Sequence, residues 1–231
     1  MNLILTMAGK YSRFRDDGFN IPKYLLPYGN RSILSEILHN LLCEECFDNV
    51  YLIANKEDEI YFGHIKKIME SFDIPISNLI SIGDTSGQAE TCYIGIKSIP
   101  VTSGPIAFHN IDTILLNRNI SDIKSALSSH DGYIDIFESN NHEYSYVILD
   151  DNIVTTIAEK ILVSNTATSG FYGFASADLF LQYYDNELYI SDVYRKMISD
   201  NKKISTGDIY NESETIVLGT PSNYLKMSQE L

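Results

Sequence analysis

Leu3-Ile4-Leu5-Thr6-Met7-Ala8-Gly9-Lys10-Tyr11-Ser12-Arg13-Phe14 is the stretch that decides the fold. It begins as a short apolar run and ends as a small-residue turn with two cations, so it predicts a buried strand feeding directly into a loop. Beyond it, apolar residues recur at helical spacing over 32–46 (Ile33, Leu34, Ile37, Leu38, Leu41, Leu42). Ser32 is placed to cap that helix, with Glu36 close to the capping-box position. A strand over 49–54, a helix over 58–72, a strand over 79–82, a helix over 88–98 and a strand over 105–110 follow. Alternation at this spacing predicts βαβ units and a parallel sheet covered on both faces.

From about Gly132 the pattern changes. Short strands are expected over 133–138, 144–149, 153–158 and 169–175, separated by Asn- and Asp-rich turns, which predicts an antiparallel patch. Helices over 176–184 and 191–201, a strand over 215–218 and a helix from Pro221 complete the chain. The expected fold is α/β: a single Rossmann-like three-layer domain over 1–231, with a mixed, mainly parallel central sheet and a small antiparallel sheet facing the substrate. Its halves divide between residues 131 and 132.

The chain has 231 residues, of which 44% are hydrophobic and 21% charged, a composition able to bury a core. With 17 basic against 31 acidic side chains the net charge is −14. That excess opposes binding to nucleic acid or to an anionic membrane, since both need clustered Lys and Arg. No run approaches the roughly 20 apolar residues of a membrane span. The start, MNLILTMAGK, lacks a basic region followed by a long apolar one, so a cytoplasmic location is expected. Three cysteines, an odd number, suit a reducing compartment. Cys43-Glu44-Glu45-Cys46 has CxxC spacing, but no second Cys or His pair is spaced to complete a tetrahedral zinc site, and two ordinary helix cysteines are expected.

Against this acidic background, Lys10, Arg13 and Lys23 form a local basic group around the first turn. A glycine there lets backbone N–H groups approach an anion, and in open α/β sheets ligands bind beyond the carboxyl ends of the strands. The plainer reading is an ordinary βα connection with solvated charges.

Further motifs fall in order along the chain: Pro22-Lys23-x-Leu25-Leu26-Pro27, Gly87-Gln88-Ala89-Glu90-Thr91, Asn110-Ile111-Asp112, Glu159-Lys160, Ser169-Gly170-Phe171-Tyr172-Gly173-Phe174, Ser191-Asp192-Val193 and Gly219-Thr220-Pro221. Together with Ala8-Gly9-x-x-Ser12-Arg13-Phe14, they resemble the signature of the nucleotidyltransferases that make nucleotide-activated sugars and related phosphometabolites. The resemblance spans nearly the whole chain. It implies Mg²⁺-dependent transfer of a nucleoside monophosphate, with CTP or UTP favoured, to a phosphorylated small metabolite. It also implies that residues 1–131 bind nucleotide and 132–231 bind the acceptor.

Residue by residue, the resemblance implies that Arg13 and Lys23 act in catalysis. Ala8, Gly9, Lys10, Ser12, Gly87 and Gln88 would hold the nucleotide. Asn110, Glu159, Lys160, Ser169 and Gly170 would hold the acceptor, and Asp112 would bind Mg²⁺. Members serving capsule and surface-polysaccharide synthesis are similar in length, including short cytidylyltransferases acting on non-sugar phosphates such as phosphoglutamine. Two residues depart from the pattern. Tyr11 stands where the second loop glycine usually is, and Val217 stands where many members carry a metal-binding aspartate, leaving Asp192 and Asp208 as spare candidates. An oligomer is compatible with the resemblance.

The cations have a physical task in such a reaction, because both reactants are polyanions. A single pair of unit charges at 4 Å repels by about 4 kcal/mol at an effective dielectric near 20. Arg13 presents a bidentate fork suited to phosphate, and Mg²⁺ prefers carboxylate and phosphate oxygens. Simpler readings stand beside these: Lys160 with Glu159 as an exposed ion pair, Asp192 as a first-turn helix acid, His109 as a core-edge histidine. Two other functions fit part of the pattern. One is a nucleotide-sugar-dependent glycosyltransferase, through the metal motif at Asn110-Ile111-Asp112. The other is a non-catalytic nucleotide-binding protein, through Tyr11 and Val217.

Overall fold

The computed structural model describes residues 1–42, 46–100 and 104–229. In chain order the first part comprises β1 (Asn2–Met7), α1 (Ser12–Asp16), β2 (Pro27–Tyr28), β3 (Arg31–Ser32), α2 (Ile33–Leu41), β4 (Asn49–Asn55), α3 (Phe62–Ser71), β5 (Leu79–Ile82), α4 (Gln88–Ser98), β6 (Ile106–Asn110), β7 (Thr113–Leu115) and α5 (Ile120–Ala126). The second part comprises β8 (Gly132–Glu138), β9 (Ser145–Asp150), β10 (Ile153–Glu159), β11 (Thr166–Phe174), α6 (Ala177–Tyr183), α7 (Ile190–Ser199), β12 (Ile204–Ser205), β13 (Ile209–Tyr210), β14 (Thr215–Val217) and α8 (Pro221–Gln229).

Ten strands form one sheet in the order β13-β8-β12-β10-β9-β11-β6-β1-β4-β5. β1 lies parallel between β4 and β6, with Leu5 opposite Leu52 on one side and His109 on the other. Alternate residues of β1 and β4 enter different cores, which is why both strands read as nearly continuous apolar runs. Leu3, Leu5, Met7, Leu52 and Ala54 pack with Leu34, Ile37 and Leu38 of α2 and with Ile65 and Met69 of α3. Ile4, Tyr51 and Ile53 pack with Cys92 and Ile96 of α4 and with Val193 and Met197 of α7. The sheet is therefore the middle of three layers.

Several expectations are refined. The antiparallel strands form no separate small sheet; β9, β10 and β11 extend the central sheet, because β11 pairs antiparallel with β6 and passes the sheet on to β8 and β9. The expected helix over 58–72 divides into a 3₁₀ segment, Lys56–Tyr61, and α3, since Asn55 caps the first turn through Glu57 N. β14 leaves the central sheet and pairs with β7. The helix begun at Ser32, whose hydroxyl accepts from Ser35 N, extends over Ile33–Leu41. Cys43 lies outside the described residues, and Cys46 is buried with its sulfur 3.1 Å from Ser121 Oγ. No described helix is long and apolar enough to cross a membrane.

Candidate active site

A cleft of about 510 Å³ opens beyond the carboxyl ends of β1, β5 and β6, lined by Thr6, Ala8–Tyr11, Thr85–Gln88 and Asn110–Thr113, among others. The position follows from topology: parallel neighbours end together, and the loops leaving them diverge around a crevice.

The first loop places Gly9 with open space around its Cα. Tyr11 is left-handed at φ 38°, caps α1 by position, and packs edge-on against Tyr24 at 6.0 Å. Its hydroxyl is buried with no partner among the described residues. The ring thus fills space behind the loop that a second glycine would leave empty. Lys10 pairs with Asp84 at 2.6 Å, a hydrogen bond that raises the lysine pKa. Arg13 reaches Glu143 at 3.4 Å. Both pairs are exposed and contribute little to stability, so both cations can turn to a ligand at small cost. Ser12 opens α1 but is not among the lining residues.

Lys23 sits in a single 3₁₀ turn, Lys23–Leu25, entered through Pro22. Its Nζ donates to Asp112 Oδ2 at 2.6 Å. Burial raises the Asp112 carboxyl, but the Lys23 ammonium and its hydrogen bond outweigh this and hold it below the usual range. Val217 also lines the cleft, near Gly219, and its side chain brings no oxygen to that wall. Asp192 does not supply a second acid: it pairs with Arg195 on the first turn of α7 and does not line the cleft. Asp208 is likewise not a lining residue. Among the described residues no three His, Cys, Asp or Glu side chains cluster.

The remaining expected residues meet in the same cleft. Gln88 Nε2 donates to Asn110 Oδ1. Gly170, at φ +93°, lies against Asn110, where a Cβ would come within 2.5 Å of Nδ2. Gly87 N-caps α4 against Leu188, and Glu90 reaches back to Ser86 N, which lowers the glutamate pKa. Glu159 accepts from Ser145 Oγ and, at 2.7 Å, from Ser191 Oγ, so two hydroxyls orient it. Lys160, left-handed at φ 56°, donates to Tyr189 OH at 3.1 Å and is 4.0 Å from Glu159. Ser169 receives Phe171 N and bonds Asp135. Asp135 is held by Arg118, which also donates to the carbonyls of Leu116 and Glu214.

His109 is a buried strand residue. Burial lowers its pKa to about 4, so it is neutral at pH 7, and its Nε2–H donates to the Thr113 carbonyl at 2.7 Å. Glu143, Ser145 and Tyr189 line the cleft without being expected there, and Asp84 reaches it only through its pair with Lys10. Ser145 opens β9 and the other three lie on polar connections whose composition resembles any surface turn, so only the closure of the sheet brings them together.

No family model matches the chain. It is 24% identical over 222 residues to the bifunctional protein GlmU of Methanococcus aeolicus, an alignment covering 92% of this chain and 51% of that protein. The chain spans about half the length of the curated relatives it matches. Among solved structures, a nucleoside-diphosphate-sugar pyrophosphorylase from Vibrio cholerae RC9 shares the fold with a TM-score of 0.86 at 23% identity, covering 98% of this chain and 99% of that one. An inositol-1-phosphate CTP transferase from T. maritima shares it at 0.73 and 12% identity, covering 99% and 94%. The resemblance to sugar-phosphate nucleotidyltransferases read from the motifs is borne out by these comparisons.

Proposed function

We propose that this chain, which has the fold and the motif order of the sugar-phosphate nucleotidyltransferases, transfers a nucleoside monophosphate from CTP or UTP to a phosphorylated small metabolite with release of pyrophosphate. The observation that carries this reading is the convergence of Lys10, Arg13, Lys23, Lys160 and Asp112 on one cleft of a chain with net charge −14. Five charged groups of this kind are what a meeting of two phosphates requires, and a plain βα connection would not collect them.

In the reaction, a phosphate oxygen of the acceptor forms a bond to the α-phosphorus while the bond to the β-phosphate oxygen breaks and pyrophosphate leaves. Catalysis of this type is positioning and charge stabilisation. Arg13 and Lys10 give up Glu143 and Asp84 for the triphosphate. Lys23 stands beside the α-phosphate and offsets the charge that builds in the transition state. Lys160 takes the acceptor's phosphate, and Glu159, oriented by Ser145 and Ser191, fixes its polar groups together with Asn110 and Ser169. Gly9, Gly87 and Gln88 hold base and ribose.

The donor set fits Mg²⁺. The ion binds through one or two carboxylates with phosphate and water filling its other positions, and Asp112 offers one such carboxylate on the cleft wall. When bound, the ion would neutralise phosphate charge. The pyrimidine preference and a role in surface-polysaccharide precursor synthesis rest on the resemblance to short cytidylyltransferases; the name of the T. maritima structure supports a CTP-using member of the same fold.

Pyrophosphate release from CTP, UTP, GTP, ATP and dTTP with Mg²⁺, each against a panel of sugar phosphates, phosphocholine and phosphorylated amino-acid amides, tests the reading. Acceptor-dependent release with a pyrimidine nucleotide is expected. Nucleotide binding with silence across the panel would overturn it in favour of a sensing protein.

A further inference from the structure

The end of β4 and the segment after it, Asn55 to Tyr61, carry none of the motif residues, yet their side chains reach the loops that do. Asn55 Nδ2 donates to the Ala8 carbonyl at 3.2 Å and to Asp84, the partner of Lys10, at 3.0 Å. Glu57 lies 3.7 Å from Arg15, and Tyr61 OH donates to the Asn20 carbonyl at 2.8 Å. Asp58 receives the hydroxyl of Tyr24 at 2.9 Å, and Tyr24 directly follows Lys23.

The Asp58 contact stands apart from the others. Tyr24 is fully buried and Asp58 is 2% exposed. Among the described residues no cation pairs with Asp58, although every carboxylate taken from water without a cation costs folding free energy. Stability alone would be served better by an apolar pair of similar volume. What the carboxyl adds is direction, because it gives the buried Tyr24 hydroxyl one fixed acceptor, 2.9 Å away.

We propose that Asp58 is a positioning residue for Lys23, acting through Tyr24. Lys23 and Tyr24 share one 3₁₀ turn, and their Cα atoms stand about 3.8 Å apart. Tyr11 supports the Tyr24 ring from the edge, and Asp58 sets the direction of its hydroxyl, so the turn cannot rotate about the ring. The ammonium of Lys23 is thereby delivered to Asp112. A misplacement of about 1 Å at such a group costs on the order of 100-fold in rate.

The inference rests on the reading of Lys23 given above, so one arm of its test avoids activity. Brief acylation with an N-hydroxysuccinimide ester, read by mass spectrometry, compares Lys23 with the exposed Lys66 in wild type, Tyr24→Phe, Asp58→Leu and Asp58→Asn. Tyr24→Phe keeps the ring and its packing, which guards against a variant that does not fold, and thermal melts accompany each protein. In wild type Lys23 is paired and 15% exposed, so slow acylation is expected there. The expected result is Lys23 acylation several-fold faster in Tyr24→Phe and Asp58→Leu, with near wild-type rates in Asp58→Asn, which still accepts the hydroxyl.

The second arm measures turnover with CTP and the acceptor identified by the panel. There kcat falls about tenfold or more in Tyr24→Phe, with the KM for CTP within about twofold. Lys23 acylation in folded Tyr24→Phe equal to wild type overturns the proposal, as does Asp58→Asn behaving like Asp58→Leu. Wild type silent in the second arm overturns the transferase reading and leaves the labelling arm to decide the positioning role.

Discussion

The Nζ of Lys23 and the Oδ2 of Asp112 stand 2.6 Å apart, although 89 residues separate them in the chain. The pair joins the turn after Pro22 to the turn after β6, and both side chains are mostly out of solvent, at 15% and 20% exposure. The Lys23 ammonium and its hydrogen bond hold the Asp112 carboxyl below its usual range despite burial. Lys23→Ala should therefore lose most turnover, on the order of 100-fold, while circular dichroism shows the fold retained. Equal rates in wild type and variant would remove Lys23 from the transfer step.

Lys160 is held by neutral or weak partners, the Tyr189 hydroxyl and a carboxylate at 4.0 Å. Lys160→Ala should raise the acceptor KM by about 10- to 100-fold, the size of a lost charge-assisted hydrogen bond, with little change in the KM for nucleotide. Initial rates over an acceptor series check this, and an unchanged acceptor KM would place its phosphate elsewhere.

Gly170 has φ +93° and faces Asn110 with no room for a side chain. Gly170→Ala should displace Asn110 from Gln88 and reduce kcat/KM, with some loss of thermal stability from the strained backbone. Gly9→Ala meets open space. It should melt like wild type and lose only nucleotide affinity, which calorimetric titration with CTP would show.

Burial raises the Asp58 carboxyl to about pH 6, from an ordinary value of 3.8. A folded-state pKa above the unfolded one means that the native protein holds the proton more tightly. The contribution to stability is therefore full below about pH 4 and is lost as pH rises through about 6. Urea melts between pH 4.5 and 7.5 should show a wild-type dependence of this sign that Asp58→Asn removes. A variant with the same pH dependence as wild type would assign it to another group.

Arg118 and Asp135 form a buried pair with hydrogen bonds at 3.0 to 3.2 Å, and Tyr210 covers the guanidinium at 3.6 Å. Leaving one charge alone in that core costs about 3–5 kcal/mol. Asp135→Leu should thus lower the melting temperature strongly. Because Asp135 also receives Ser169, any residual folded protein should show a weakened acceptor site.

The strands on either side of β1 were legible because a strand buried on both faces must be apolar throughout, and the helices between them because one face of each must be. β7, α5 and the two-residue strands β2, β3, β12 and β13 were not, since segments of a few residues carry too little periodicity to stand out. The basic group Lys10, Arg13 and Lys23 stood out from local sequence because it runs against the acidic background, whereas Asp112 was named only through the resemblance of Asn110-Ile111-Asp112 to a family motif. The partners that orient them did not stand out. Glu143 opposite Arg13, Asp84 opposite Lys10 and Asp58 beneath Tyr24 are unremarkable surface-type residues in sequence, and they gain meaning only when the sheet closes and distant loops share one crevice. Sequence by itself determined the alternating layers and the chemistry of the loops, both properties of short windows of chain. Only the tertiary structure decided which charges meet, because an ion pair depends on distance in space, and neither 89 residues of separation nor 130 says anything about that.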